Sequence, residues 1–325
     1  MAYTDNMAGR MRLIYGDVTL GVKGEGFHYI FSYQTGGLES LCCQGKEWLY
    51  RTPRPTFWRA LTDNDRGSGF QLESGMWLSA DMYMRCVDIR VSVDGREIPL
   101  PKAPENNRYG AEEYASALAV SFRYEITTVP RTEVQVTYEA DPSGRLRVTA
   151  EYKGKQGLPS LPVFGMRFLM PTAAVGFAYE GLGGETYPDR KAGAEKGVYR
   201  IEGLPVTPYL CPQDCGVHMD TEWLEIYREN VLDNSAVPKE KFALRVEADG
   251  SNFAFSCLPY TAEELENATH QEELPPVRRT VLCVLGAVRG VGGIDSWGTD
   301  IEEAYRIDAQ QDIRFSFVVC AGKAE

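Results

Sequence analysis

The chain has 325 residues, with 46 Asp+Glu against 34 Lys+Arg, a formal net charge of −12. That balance repels phosphate backbones and anionic headgroups, which argues against nucleic-acid and membrane-surface partners. Met1–Asn6 is polar where a secretory leader needs an apolar run, and no apolar stretch approaches the roughly 20 residues that span a bilayer; a cytoplasmic protein is expected, with its eight cysteines reduced.

Taken in order, the chain is dominated by strand signals. Between Phe70 and Met84, the residues Leu72, Met76, Ala80 and Tyr83 fall at helical spacing and predict one short helix. Asp94-Gly95 sits between Val91-Ser92-Val93 and Arg96-Glu97-Ile98, a hairpin signal. Pro99–Glu113, with Pro101, Pro104 and the polar Glu105-Asn106-Asn107-Arg108, reads as a surface loop, because strand patterns resume on both sides without a shift in composition. Pro142-Ser143-Gly144 joins Val134–Glu139 to Leu146–Tyr152, and Asp249-Gly250 reads as another hairpin turn ahead of Phe253-Ala254-Phe255. Phe242, Leu244 and Val246 alternate onto one face, as do Ile313, Phe315, Phe317 and Val319. Thr261 and Glu264 form a capping box that opens a second helix. The expected architecture is one all-β domain over residues 1–325, a large antiparallel β-sandwich with two short helices.

Chemistry is harder to find. Glycoside hydrolysis by paired carboxylates needs them at a defined separation, and no acidic residue here sits in the strand-end pattern of a barrel enzyme. His28, His218 and His270 are too scattered for a metal cluster, and Cys211 and Cys215 lack a second pair at zinc spacing. Gly181-Leu182-Gly183-Gly184 lacks the following helix of a phosphate cradle. No catalytic or metal-ligating residue is therefore assigned, and on chemistry alone the chain reads as a binding or shaping module.

Three stretches stand out from that background. In Val291–Gly298, Gly292 and Gly293 allow positive φ and close approach, while Asp295 and Ser296 can bond local backbone and fix a tight loop. Trp297 beside them offers about 150–250 Å² of flat apolar surface and one N–H donor, which suits the C–H face of a sugar ring; the other reading is a tryptophan folded back onto the core. Pro55–Gly67 packs aromatics, arginines and a short acidic run together and reads as a turn, with Asp63 and Asn64 as caps and Arg59 or Arg66 as their ion partners. Gly181–Arg190 is again turn-rich and ends in a proline-fixed Asp189–Arg190 pair.

Together "FWRALTDNDRG" (residues 57–67), "GLGGETYPDRKAG" (181–193), "PYLCPQDCGVHMDTEWL" (208–224) and "GVGGIDSWG" (290–298) resemble, in that order, the C-terminal domain of family 2 β-galactosidases. The opening "MAYTDN", with "TLGVKGEGFHYIFSYQTGGLESL" and "KEWLYRTPRPTFWRA", resembles the separately encoded small subunit of the heterodimeric enzymes of lactic-acid bacteria. The resemblance implies a galactose-mutarotase-like supersandwich that completes the active site of a catalytic large subunit acting on galactosides such as lactose. It also implies that the catalytic glutamates, Mg2+ and a monovalent cation belong to that large subunit. Trp297 is the implied substrate-contacting residue, with Gly292, Gly293, Asp295 and Ser296 shaping its loop. Arg59, Asp63, Asn64, Asp65, Asp189 and Arg190 are implied to be structural or to meet the large chain. The family pattern carries two acids before Ser-Trp, where this chain has Ile294-Asp295.

The alternative is a self-sufficient carbohydrate-binding or aldose-mutarotase-like protein, which needs a His–Glu proton-transfer pair on its concave face. A chain that depends on a large partner should instead leave a broad apolar docking face bare, with Trp297 exposed.

Overall fold

The computed structural model of the chain describes residues 9–103, 113–232 and 240–323. Met1–Asn6 and most of the expected Pro99–Glu113 loop lie outside them. Among the described residues, strands form three antiparallel sheets. The largest has ten strands in the spatial order Lys196–Glu202, Gly176–Leu182, Trp223–Arg228, Phe242–Ala248, Ile313–Ala321, Leu146–Tyr152, Thr132–Ala140, Leu118–Ile126, Arg85–Val93 and Arg96–Ile98. A five-stranded sheet runs Val217–Thr221, Phe253–Leu258, Thr280–Val288, Val163–Met170 and Arg51–Thr56. A six-stranded sheet, from Lys46–Glu47 through Gly37–Cys43, Phe27–Ser32, Thr19–Gly24 and Met11–Tyr15 to Glu113–Ala115, completes the set.

Both smaller sheets pack on the same face of the large one. Phe31 of the six-stranded sheet meets Phe122 and Tyr138, with ring centroids 6.5 and 5.7 Å apart. Phe164 and Phe168 of the five-stranded sheet meet Phe315 and Phe317 at 5.6 and 6.0 Å. The period of two selects these residues: Leu118, Val120, Phe122, Tyr124 and Ile126 are all buried while their neighbours are only half-buried. Phe242, Leu244, Val246, Phe317 and Val319 join the same core, with Ile313 and Phe315 packed at its margin. The result is the expected antiparallel supersandwich, and all eight cysteines are free thiols.

The hairpins at Asp94-Gly95 and Pro142–Gly144 form as expected, and Thr261 caps a helix, α3, spanning Ala262–Asn267. Asp249-Gly250 differs. It is a corner that carries the chain from the ten-stranded to the five-stranded sheet, with only an isolated bridge between Asp249 and Ser251. The Asp249 carboxylate explains the switch: it accepts from Ser316 and Arg147, both at 2.6 Å, fastening the turn to one sheet while Phe253 enters the other.

The helix expected over residues 70–84 is shorter. A helix α2 spans Phe70–Ser74, a 3-10 turn covers Gly75–Trp77, and the residues at helical spacing point largely outward. Trp77 sets this geometry: its indole is buried, stacks on Phe57 at 5.7 Å and donates to the Pro159 carbonyl at 3.1 Å. Just before it lies a helix that the sequence reading takes for a turn, α1, over Asp63–Ser68.

Candidate functional site

The candidate site is assembled from three segments far apart in sequence, beginning at α1. Thr62, not Asp63 or Asn64, is its N-cap: the Thr62 hydroxyl accepts from the Asp65 N–H, and the Asp65 carboxylate accepts from the Thr62 N–H at 2.9 Å. A cap of this kind is worth about 1 kcal/mol. Asp65 is thereby turned inward and buried, where it accepts from the Arg59 guanidinium at 2.7 and 3.3 Å. Burial alone would push the Asp65 carboxyl up, but Arg59 and the bonds from Thr62 outweigh it and hold the group below its ordinary value. Of the expected ion partners, Arg66 does take Asp63, at 3.4 Å on the surface, while Arg59 takes Asp65. Arg59 also donates to the Gly290 carbonyl at 3.0 Å, and so ties α1 to the start of the tryptophan loop.

That loop follows the strand Thr280–Val288 and is clamped near its start. Asp189 and Arg190, expected as a pair, act on the loop rather than on each other's side chains. The Asp189 carboxylate accepts from the Val291 N–H at 3.0 Å and the Gly292 N–H at 2.8 Å, while Arg190 donates to the Gly292 carbonyl. Asn64 donates to the Val291 carbonyl at 2.9 Å. Gly292 and Gly293 have φ of 71° and 81°, the left-handed region that side chains resist. A Cβ on Gly298 would stand 2.5 Å from the Gly67 carbonyl oxygen, so the far side of the loop touches α1 directly.

Between these contacts the loop holds its own shape through Asp295. Its carboxylate accepts from the Trp297 N–H at 2.9 Å, and from the Thr299 hydroxyl at 2.6 Å and N–H at 3.3 Å. The Thr299 hydroxyl, then the Trp297 N–H, hold the Asp295 carboxyl below its ordinary value. Trp297 itself is 92% exposed. It is not folded back onto the core; the loop presents it to solvent.

Sequence reasoning missed four supports. Arg289, fully buried, donates to Asp300, lies 3.7 Å from Asp65 and places its guanidinium 4.0 Å from the Phe70 ring centroid. Asp300 also meets Arg306 at 2.9 Å, closing the loop's C-terminal end. A charged residue directly after the apolar run Thr280–Val288 was the available signal. Gln213 accepts from the Asp63 N–H at 2.8 Å, and Asp214 accepts from the Tyr187 hydroxyl at 2.8 Å. Burial pushes the Asp214 carboxyl up to about 6 against the opposing pull of Arg59 and the Tyr187 hydrogen bond.

What this arrangement offers is an anchored surface. The cavity lined by Arg59 and Asp214 holds only about 40 Å³, far below the roughly 300 Å³ of a small-molecule site. An open groove of about 660 Å³ runs past Asp189, with Lys191, Asp220, Asn252 and Tyr305 on its walls and neither histidine nor glutamate. His218 is buried among Phe177, Tyr179 and Phe255 with Nδ1 2.7 Å from the Gly184 carbonyl, and burial lowers its pKa to about 4. No group of three or more His, Cys, Asp or Glu able to hold a metal occurs among the described residues, and no helix there is long and apolar enough to cross a membrane.

Fold and site together define an all-β supersandwich whose distinguishing feature is a clamped, outward-facing aromatic loop. Residues 23–319 match the family described as Beta galactosidase small chain, and the chain belongs to that family. It is 61% identical over 314 residues to the β-galactosidase small subunit of Latilactobacillus sakei, covering 97% of this chain and 99% of that one. It is 35% identical over 318 residues to a β-galactosidase of Halalkalibacterium halodurans, covering 96% of this chain but 28% of that longer protein. A galactose mutarotase-like protein from Lactobacillus casei superposes with a TM-score of 0.41 at 10% identity, covering 94% of this chain and all of that one.

Proposed function

We propose that this small chain completes the active site of a separate catalytic chain by supplying Trp297 as an aromatic wall for a terminal β-galactoside such as lactose. The exposure of Trp297 on a loop held by Asp189, Arg190, Asn64 and Asp295 carries the reading. A large apolar ring held rigidly in water is poised for a ligand or partner, and its ordering cost is met before binding. On this reading the chain acts as one unit in the cytoplasm and hydrolyses nothing alone. The catalytic carboxylates, Mg2+ and a monovalent cation belong to the large chain. Gly292, Gly293 and Asp295 shape the loop, Ser296 is its exposed neighbour, and Arg59, Asp63, Asn64 and Asp65 form its footing.

Kinetics of the assembled enzyme test this. Trp297→Ala should raise KM by roughly 5- to 150-fold, the equivalent of about 1–3 kcal/mol of lost stacking, with assembly intact. Trp297→Phe should recover part of the loss. Wild-type KM and kcat in the alanine variant, or galactosidase activity in the purified chain alone, would refute the proposal.

A further inference from the structure

The segment after α1 exposes apolar side chains at an unusual density. Leu72 is 88% exposed, Tyr83 68% and Met82 56%, and Met76 and Leu78 are exposed as well. Single exposed apolar residues are ordinary, but a run of five large ones within twelve residues marks an interaction site.

Looseness does not account for this exposure. The segment is bolted to the core between its exposed residues: Ser74 donates to the Ser160 carbonyl at 2.8 Å, Trp77 to Pro159, and Arg54 to the Asp81 carbonyl at 3.0 Å. Asp81, buried, also pairs with Arg167. The apolar residues are therefore held outward by their own neighbours, which keeps the entropic cost of docking low.

The surface continues at both ends. Leu72 lies 3.8 Å from where a Cβ on Gly69 would stand, and Gly67, two residues earlier, touches Gly298 of the tryptophan loop. At the other end Met82 lines an open groove of about 630 Å³ with Tyr50, Arg51 and Leu169. The exposed segment thus bridges the Trp297 loop and this groove.

We infer that residues 72–83, from Leu72 to Tyr83, are the face on which the catalytic large chain docks, with Met82 leading into the Tyr50 groove. This rests on the function proposed above. Its occupant follows from the longer relatives: in the Halalkalibacterium halodurans protein the matching region is 28% of a single chain. A two-chain enzyme must hold the remainder by surface contact, and stable interfaces bury roughly 800 Å² on each partner around an apolar centre. The outer face of the ten-stranded sheet offers no equivalent, being laced with arginine–carboxylate pairs.

The test is a titration of purified large chain against wild-type small chain, Leu72→Glu/Tyr83→Glu and Leu72→Ser/Tyr83→Ser, followed by light scattering and galactoside hydrolysis. Both double variants should keep the wild-type melting temperature, since the altered side chains are exposed. The Glu pair should assemble about 100-fold more weakly and the Ser pair about 10-fold, with KM restored at saturating large chain. The Ser pair carries the result should the Glu pair fail to fold. Wild-type assembly by the folded Ser pair would overturn the docking face and leave the function of Trp297 standing. Failure of the wild-type chain to assemble would overturn both. A homodimer of the small chain that the variants dissolve, without any change in binding to the large chain, would assign the face to a second copy and overturn the inference.

Discussion

The outer face of the ten-stranded sheet and the end of the molecule that carries Trp297 both meet solvent, yet they are built in opposite ways. On the sheet, period-two alternation sends charge outward, and Arg123–Glu133, Arg145–Glu247, Arg147–Asp249 and Arg314–Glu151 pair across it between 2.6 and 3.2 Å. At the tryptophan end Arg59, Asp65 and Arg289 are buried while Trp297 and Leu72 stand in water. The difference teaches what each surface is for. Exposed ion pairs contribute little to stability and keep a broad sheet wettable. Buried charges cost several kcal/mol unless they are mutually satisfied, so they persist where they hold something in place, here the footing of a loop that turns an aromatic away from the core.

The contrast is broken most directly at Arg59. Arg59→Met leaves buried Asp65 with Arg289, 3.7 Å away, as its remaining cation and frees the Gly290 carbonyl, and should cost the isolated chain about 3–5 kcal/mol in urea unfolding. A loss below 1 kcal/mol would mean that the buried charges are not a structural footing.

The pH dependence sharpens it next. Asp214 has a folded pKa of about 6, raised by burial above its ordinary value. The folded protein therefore binds this proton more tightly than the unfolded chain. The associated stability is present below about pH 4 and is lost as pH rises through 6. Between pH 4 and 7 the wild type should lose about 1–3 kcal/mol relative to Asp214→Asn, which cannot ionise. Asp65, with its lowered value, works in the opposite direction in both proteins and cancels from the difference. Parallel stability curves for the two proteins would place Asp214 outside this account.

On the sheet face the effects should be small. Arg147→Ala removes contacts to Asp249 and Glu139 and should cost about 0.2–1 kcal/mol, falling further with added salt. A loss above 2 kcal/mol would mean that the corner at Asp249 depends on this one pair. Smallest of all, Trp297→Ala should shift unfolding of the isolated chain by less than about 0.5 kcal/mol, because the indole buries almost nothing there. Unfolding of that variant would return Trp297 to the core.

Much of this architecture was legible in the residues. The strands Phe242–Ala248 and Ile313–Ala321, the turns at Asp94-Gly95 and Pro142–Gly144, and the Thr261–Glu264 capping box need only local rules, because side-chain period and turn chemistry are fixed by neighbours in sequence. The short helix expected between Phe70 and Met84 forms but ends at Ser74, with a 3-10 turn to Trp77, since helical spacing cannot say which face the core will take; Trp77 settled that through Phe57 and Pro159, far away in the chain. The hairpin reading of Asp249-Gly250 failed for a related reason: a turn signal does not tell whether the next strand returns to the same sheet.

The composition, the alternation and the ordered motifs identified an all-β chain of this family, and singled out Trp297 by its place between the Gly292-Gly293 loop and Gly298. Only the tertiary structure decided that Asp189 and Arg190 act on backbone a hundred residues away, that Arg289 and Asp300 close the same loop, and that Trp297 faces water. Sequence pattern reports the geometry of a residue with its near neighbours. A clamp made of buried charges and borrowed backbone groups exists only once distant segments are brought within hydrogen-bonding distance, and nothing local encodes which ones will meet.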